Sequence, residues 1–153
     1  MQFYRNDTDE PDPQVVAEGE FALRNFQDLD CWKACRELRL FVARKIVPEI
    51  PNDERYRLGD QILRAARSAT ANIAEGHGRF HYLDNAKFCR NARGSCAEVL
   101  DHLITAFDEG LINDDLYSEG QKLVERALKV LNGYIRYLRQ ARTRTDEKRP
   151  AHG

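Results

Sequence analysis

The sequence of 153 residues lacks several features that define common protein classes. It has no run of about 18 apolar residues, so no segment is predicted to span a membrane. It has no glycine-rich loop of the kind that holds phosphates, and it begins without the basic and apolar segments of a signal peptide. We therefore expect a cytoplasmic protein, whose four cysteines are thiols.

A strong net charge is also missing, but the charges are unevenly distributed. The whole chain carries a formal net charge of −1, whereas residues 1–20 carry −5 and residues 55–94 carry +5. This asymmetry is typical of a protein that contacts a polyanion, or of an acidic tail that screens a basic surface. Charged helix faces that are merely solvated produce the same pattern, so charge alone leaves all three interpretations open.

The central part of the chain shows no strand pattern and has four segments with the apolar spacing of helices. These segments run from about 28 to 47, from 52 to 76 or 78, from 82 to 109, and from 113 to 142. Four long helices with short connections predict an all-α fold, an antiparallel up-down-up-down four-helix bundle. We accordingly divide the chain into a mobile acidic arm (1–25), the bundle (26–142) and a frayed tail (143–153).

Local signals predict where these helices begin and end. Capping side chains are expected before the first helix (Asp28 or Asp30) and the second (Asn52 or Asp53), and the fourth helix is expected to start at Asn113. Glycines are expected to end the second helix (Gly76 or Gly78, in a left-handed conformation) and the third (Gly110). Gly94, inside the third helix, predicts a close helix crossing.

A polar stripe runs along the second helix beside its apolar face. We predict a structural polar seam in which Arg64 pairs with a carboxylate while Asn72 and Glu75 hold the following loop. The alternative is a ligand or catalytic site at the mouth of the bundle. The predicted seam comprises Gln61, Arg64, Ser68, Asn72, Glu75 and Gly76, together with Gly94 of the third helix.

Basic side chains on the second and third helices are candidates for binding nucleic acid. Neither a helix-turn-helix nor the stacking aromatic set of an RNA-binding sheet is recognisable. Contacts to backbone phosphates are therefore expected rather than sequence-specific recognition. The candidates are Arg57, Arg64, Arg67, Lys87, Arg90 and Arg93.

Metal, redox and nucleophilic chemistry have weaker support. His77 and His81 are four residues apart, but Gly76 and Gly78 interrupt the helix that would align them, so we expect neither metal nor cofactor. Ser68 and Ser95 lack a base at motif spacing, so no catalysis is expected. The cysteines are expected to be small buried apolar groups, with a redox role as the alternative: Cys31, Cys35, Cys89 and Cys96.

Specific motifs resemble those of the 23S rRNA intervening-sequence protein family. Residues 51–61 fit P-x-x-E-x-Y-x-L-x-x-Q, and residues 64–76 fit R-A-x-x-S-x-x-x-N-I-A-E-G. Residues 26–32 fit F-x-x-L-x-x-W, and residues 92–98 fit A-x-G-S-x-x-E. The resemblance covers about residues 26–140 and leaves the acidic arm as a departure. It implies a bundle without enzymatic activity that assembles as a ring, a homopentamer.

We expect a non-catalytic oligomeric scaffold or adaptor whose partners are further copies of itself and RNA or DNA. A similar fold occurs in the accessory protein of diversity-generating retroelements, which binds nucleic acid and a reverse transcriptase. The first alternative is a module that binds only proteins, and the second is an enzyme or a metal-binding bundle.

Overall fold

The computed structural model describes residues 25–79 and 81–147, and within them it contains helices and turns but no strand. Most of the predicted arm and the end of the predicted tail lie outside these residues. The last helix continues to Glu147, beyond the end predicted at residue 142. None of the helices in the described part of the chain combines the length and the apolar character needed to cross a bilayer.

Four long helices form the fold, as predicted. Helix α1 spans Asp30–Phe41 and continues through a π-helical turn, Val42–Ile46, and a 3-10 turn, Val47–Glu49. A helical turn, Asn52–Glu54, and a π-helical turn, Arg55–Gly59, lead into helix α2, Asp60–Gly78. Helix α3 spans Tyr82–Asp108, and helix α4 spans Asp114–Glu147.

Each helix packs on the next one along the chain, and α4 returns to pack on α1. The α1–α4 contact carries two ion pairs on its outer side, Lys45 with Glu119 at 2.9 Å and Arg126 with Glu37 at 3.0 Å. The diagonal helices α1 and α3 meet through core side chains, where the Sγ atoms of Cys35 and Cys96 lie 3.7 Å apart. This is the predicted antiparallel four-helix bundle.

Two glycines allow close approach between helices. A Cβ atom on Gly76 of α2 would lie 2.8 Å from the Cβ of Phe88 and 3.2 Å from the Cα of Asn85 in α3. A Cβ atom on Gly120 of α4 would lie 2.7 Å from the Cδ1 of Leu103. Because real Cβ atoms do not approach other atoms so closely, a side chain at either position must displace its neighbours.

The predicted helix ends are confirmed at one connection. Gly110 ends the third helical segment with a φ of +72°, and the Oδ1 of Asn113 accepts the backbone N–H of Leu116 at 2.9 Å. Both features follow from the left-handed preference of glycine and the capping chemistry of asparagine.

The predicted caps of the first two helices are wrong, and the predicted end of the second helix is confirmed at Gly78 but without the left-handed conformation. Leu29 and Pro51 precede the first two helical segments, and no side chain caps either of them. Helix α2 ends at Gly78, and Gly110 is the one described glycine with a positive φ. Gly76 is present because α3 comes close, which is a packing requirement rather than a conformational one.

The close crossing predicted at Gly94 is also absent within the described chain. Gly94 is exposed, and a Cβ atom placed on it would meet no described atom within 4 Å. The glycine lies on the outer face of α3, where no other helix of the same bundle packs.

Candidate nucleic-acid interface

One end of the bundle is defined by contacts among all four helices. The last turns of α2 meet the first turns of α3 where Gly76 faces Phe88. The Nδ2 of Asn85 donates a hydrogen bond of 3.0 Å to the hydroxyl of Tyr134, which places α4 at the same level. Cys31 of α1 lies near Cys89 of α3, which helps to raise the pKa of its thiol, and near Tyr134 of α4, whose pKa it helps to raise. Residues 25–36, 70–79, 81–93 and 132–144 therefore share one end of the bundle.

This end carries an excess of positive charge, and we call it the basic end. It has ten lysine and arginine residues and four acidic residues, a formal charge of +6 without counting histidine. The bases are Lys33, Arg36, Arg79, Lys87, Arg90, Arg93, Arg136, Arg139, Arg142 and Arg144. The acids are Asp28, Asp30, Glu75 and Asp84.

The opposite end, which we call the acidic end, has the reverse charge. It comprises residues 41–60 and 101–120, brought together by the Lys45–Glu119 pair and by the stacked rings of Phe107 and Tyr117, 4.6 Å apart. It has four basic residues and ten acidic residues, a formal charge of −6. The acids are Glu49, Asp53, Glu54, Asp60, Asp101, Asp108, Glu109, Asp114, Asp115 and Glu119.

The outer face of α3 presents three bases at the basic end. Lys87 is exposed, while Arg90 and Arg93 are half-buried. The Nη1 of Arg93 donates a hydrogen bond of 2.9 Å to the Oδ1 of Asn132, which holds its guanidinium between α3 and α4. Within the described side chains, no carboxylate lies within 4 Å of Lys87 or Arg90. Their charge is therefore not cancelled by an ion pair in this part of the chain.

Arg79 adds a base at the end of α2. Its Nη2 lies 2.9 Å from the Oε1 of Glu75, and its guanidinium carbon lies 5.0 Å from the centre of the Phe88 ring. The ring and the carboxylate orient the guanidinium at the bundle's end, and about half of the Arg79 side chain is still exposed.

The structure separates the six basic residues that the sequence grouped together. Lys87, Arg90 and Arg93 lie at the basic end. Arg57 lies at the acidic end, 3.5 Å from Glu54. Arg64 and Arg67 are exposed near the middle of α2, one helical turn apart and away from both ends of the bundle. The +5 region of the sequence is therefore not one patch.

Topology also adds bases that the sequence interpretation did not include. Arg79, Arg136 and Arg139 join the basic end because α2 and α4 finish where α3 begins. The signal that could have found them was the predicted up-down order itself, which alternates the two ends of successive helices.

The central part of the predicted polar seam is a hydrogen-bonded cluster between α2 and α3. The Oγ atoms of Ser68 and Ser95 lie 3.0 Å apart. The Nδ2 of Asn72 donates to the backbone oxygen of Ser68 at 2.9 Å and contacts its Oγ at 3.0 Å. These bonds satisfy polar groups that the packing of the two helices partly buries.

The outer members of the predicted seam are arranged differently. Asn72 bonds back to the preceding turn and not to the loop that follows. Glu75 is exposed and pairs with Arg79, one turn further on. Gln61 and Arg64 are exposed, and no described carboxylate lies within ion-pair distance of Arg64. The hydrogen-bonded part is thus a short cluster of Ser68, Asn72 and Ser95.

Four buried thiols lie in the core near the basic end. A hydrogen bond to Cys96 together with burial raises the pKa of the Cys35 thiol, and burial raises that of Cys31. Burial raises the pKa of Cys89 to about 12. Because the reactive form of cysteine is the thiolate, these three thiols are unreactive core groups at neutral pH.

Candidate metal ligands do not gather in the described part of the chain. No group of three or more histidine, cysteine, aspartate or glutamate residues there could hold a metal ion. His77 lies within α2 and His81 precedes α3. His102 contacts Glu98 at 3.3 Å, a pair one helical turn apart.

A comparison with protein families gives a match. The family model described as 23S rRNA-intervening sequence protein matches residues 27–133, which include α1, α2, α3 and most of α4. No curated protein matches the chain. The matched region leaves out the acidic first 20 residues and ends shortly before the arginines of the last turns of α4.

Proposed function

The chain belongs to the 23S rRNA-intervening sequence protein family, and on that premise we propose that it is a non-catalytic oligomeric scaffold that binds RNA or DNA through backbone phosphates. The basic end is the binding surface. Backbone contacts require exposed lysine and arginine side chains but no geometry matched to particular bases.

The concentration of ten bases at one end of the bundle carries this proposal. Lys87 and Arg90 are without a described carboxylate partner, and a phosphate can take that place. Arginine guanidinium groups such as those of Arg79 and Arg93 bind phosphate oxygens in a bidentate manner. The acidic end repels the same polyanion, so nucleic acid is bound in one orientation relative to the bundle axis.

Assembly strengthens this surface. In a ring with cyclic symmetry, such as the homopentamer that we propose, equivalent atoms of all subunits lie at the same height along the symmetry axis. When the bundles stand roughly parallel to that axis, their basic ends lie on one face. Weak phosphate contacts made by separate subunits then act together on one strand, which raises the overall affinity.

Binding to two unrelated RNAs of equal length tests the proposal. We expect similar affinities for both, because the contacts are to phosphates, and a steep loss of affinity between about 50 and 200 mM salt. The double variant Arg90→Glu/Arg93→Glu should weaken binding about 10- to 100-fold at 50 mM salt. Light scattering should show the same particle mass for the variant and the parent protein.

The acidic end supplies a matched control. Arg55→Glu/Arg57→Glu makes the same change in net charge on exposed arginines at the other end. This variant should lose much less affinity than the α3 variant. Equal losses would show that only net charge matters, and no binding of either RNA at 50 mM salt would exclude the nucleic-acid proposal.

A second function, binding only proteins, is favoured by three exposed apolar side chains. Tyr56 is 80% exposed, Leu83 is 46% exposed and Ile104 is 38% exposed. Large exposed aromatic and aliphatic groups are typical anchors of protein interfaces. The exchange Leu83→Ser, followed by light scattering, distinguishes the roles: a fall in particle mass assigns Leu83 to the contact between subunits.

A further inference from the structure

We propose that the acidic segment 1–20 binds the basic end of its own bundle. The occupant and the surface have opposite charges: the segment carries −5 and the basic end +6. The sequence already suggested an acidic tail that screens a basic surface, and the fold identifies that surface by bringing the bases of four helices to one end. The segment would occupy the surface to which we assign nucleic acid, so its regulatory consequence rests on the proposed function.

The chain enters the fold at the correct end for this contact. The described residues begin at Asn25, which leads directly into the 3-10 turn Phe26–Asp28 and helix α1. That turn packs on α2, and the ring of Phe26 lies against Trp32 at 5.5 Å. The acidic segment is therefore attached to the bundle at the basic end, and the acidic end lies roughly the length of a helix away.

The length of chain also permits the contact. An extended chain spans at most about 3.3–3.6 Å per residue, so the chain allows Glu20 to reach up to about 18 Å from Asn25 and Asp7 up to about 65 Å. Neighbouring helices in a bundle lie about 8–10 Å apart. Even the outer face of α3, diagonally across from α1, is within reach of Asp7, Asp9, Glu10 and Asp12.

Weak contacts are sufficient because the two partners are in one chain. A short tether gives an effective concentration in the millimolar range. The attraction acts between exposed charges, so it weakens as the Debye length falls from about 10 Å at 0.1 M salt to about 3 Å at 1 M. Carboxylates bound to Lys87, Arg90 and Arg93 would compete directly with phosphates for the same donors.

Carbodiimide cross-linking of the full chain, followed by mass spectrometry, tests the contact without nucleic acid. The reagent joins a carboxylate to the Nζ of a nearby lysine as an amide, while the water removed converts the carbodiimide into a urea. We expect peptides from residues 7–20 linked to Lys87 within one chain at 20 mM salt, and about a tenfold lower yield at 1 M salt. Lys122, exposed in the middle of α4, serves as the reference lysine.

Three variants of the full chain complete the experiment. Asp7→Asn/Asp9→Asn/Glu10→Gln/Asp12→Asn should retain any link formed by Glu18 or Glu20, and it should reduce the total yield at Lys87 several-fold. Arg90→Glu/Arg93→Glu should reduce the yield at Lys87, whereas Arg55→Glu/Arg57→Glu should not. Equal yields at Lys87 and Lys122, no links to Lys87, or links only between separate chains would each overturn the proposed contact.

Competition is measured separately with a 20-nucleotide uridine RNA. The variant with four neutralised acids should bind this RNA about fivefold more tightly than the parent chain, a typical coupling between competing ligands. Unchanged affinity would overturn the competition. If neither protein binds RNA while the Lys87 links form as expected, the proposed function fails and the contact of the segment stands.

Discussion

The two ends of the bundle differ inside as well as outside. The core of the basic end contains groups that ionise or hydrogen-bond, including Cys31, Cys89 and the Asn85–Tyr134 pair. The core of the acidic end is apolar, with Phe41 and Leu103 packed around Gly120. Four helices of similar pattern thus build two chemically distinct ends, and each end can be perturbed without directly changing the other.

Of the predicted effects, alkaline pH should cause the largest change in the free energy of unfolding. In the unfolded chain thiols ionise near pH 8.5. In the folded state burial keeps Cys31 and Cys89 protonated, and a hydrogen bond to Cys96 together with burial does the same for Cys35. Above pH 8.5 the unfolded state therefore binds fewer protons than the folded state, and the free energy of unfolding falls as pH rises. We expect a loss of about 2 kcal/mol per thiol between pH 8 and pH 10, measured by urea denaturation under reducing conditions.

The variant Cys89→Ala checks the origin of this loss. It removes one of the buried thiols, so its stability should fall by about 2 kcal/mol less than that of the parent between the same pH values. A pH dependence identical to that of the parent would show that Cys89 does not contribute. In hydrogen exchange at alkaline pH, backbone amides near Asn85 and Tyr134 should lose protection first, and those around Leu103 should not.

Substitution of the closely packed glycine at each end should have the next largest effect on the free energy of unfolding. Gly76→Ala forces a Cβ against the Cβ of Phe88 and the Cα of Asn85, atoms fixed to the α3 backbone. We expect a loss of about 3 kcal/mol in the free energy of unfolding. Gly120→Ala meets the side-chain ends of Leu103 and Phe41, which can shift, so about 1 kcal/mol is expected.

Gly78→Ala is the control for this pair. The glycine is two residues from Gly76, but its added Cβ would meet no described atom within 4 Å. Thermal unfolding of the three variants should rank Gly76→Ala as the least stable and Gly78→Ala as the most stable. A Gly120→Ala protein less stable than Gly76→Ala would contradict the distinction between backbone-fixed and movable neighbours.

The sequence predicted the architecture because each helix has a regular apolar stripe. Ile62, Ala65, Ala69 and Ile73 recur at helical spacing and are buried. Such spacing predicts which segments are helices and their order along the chain, without knowledge of which helices pack against each other. The resemblance to the family, carried by the motif of residues 64–76, is likewise confirmed by the match over residues 27–133.

The candidate surface could be predicted only in part, because it depends on which helix ends meet. Arg57 and Lys87 were grouped because both lie in the basic region 55–94 of the sequence, although their helices place them at opposite ends of the bundle. It left out Arg139, which is distant in sequence and lies at the basic end. Gly76 and Gly94 look alike in a sequence, and only the position of α3 against α2 shows that the first is the tight contact.

The third comparison is between a buried hydrogen bond at the basic end and an exposed ion pair at mid-bundle. Tyr134→Phe removes the hydroxyl that accepts from the Nδ2 of Asn85, a buried donor, so we expect a loss of about 1–2 kcal/mol. At mid-bundle, Arg126→Gln removes an ion pair to Glu37 whose partners are 63% and 51% exposed. Exposed pairs contribute about 0–1 kcal/mol, so urea denaturation should show a smaller loss for Arg126→Gln.

The smallest effect on the bundle, at Gly94, distinguishes folding from assembly. Gly94→Ala adds a Cβ that meets no described atom and replaces glycine by a better helix former, so the bundle should gain up to about 1 kcal/mol. If copies of the chain pack closely on the outer face of α3, that same methyl group obstructs the contact. Light scattering of Gly94→Ala should then show smaller particles although each bundle is more stable. Particles of unchanged mass would show that copies of the chain do not pack closely at Gly94, because an added methyl group cannot be accommodated at a close helix crossing without separating the helices.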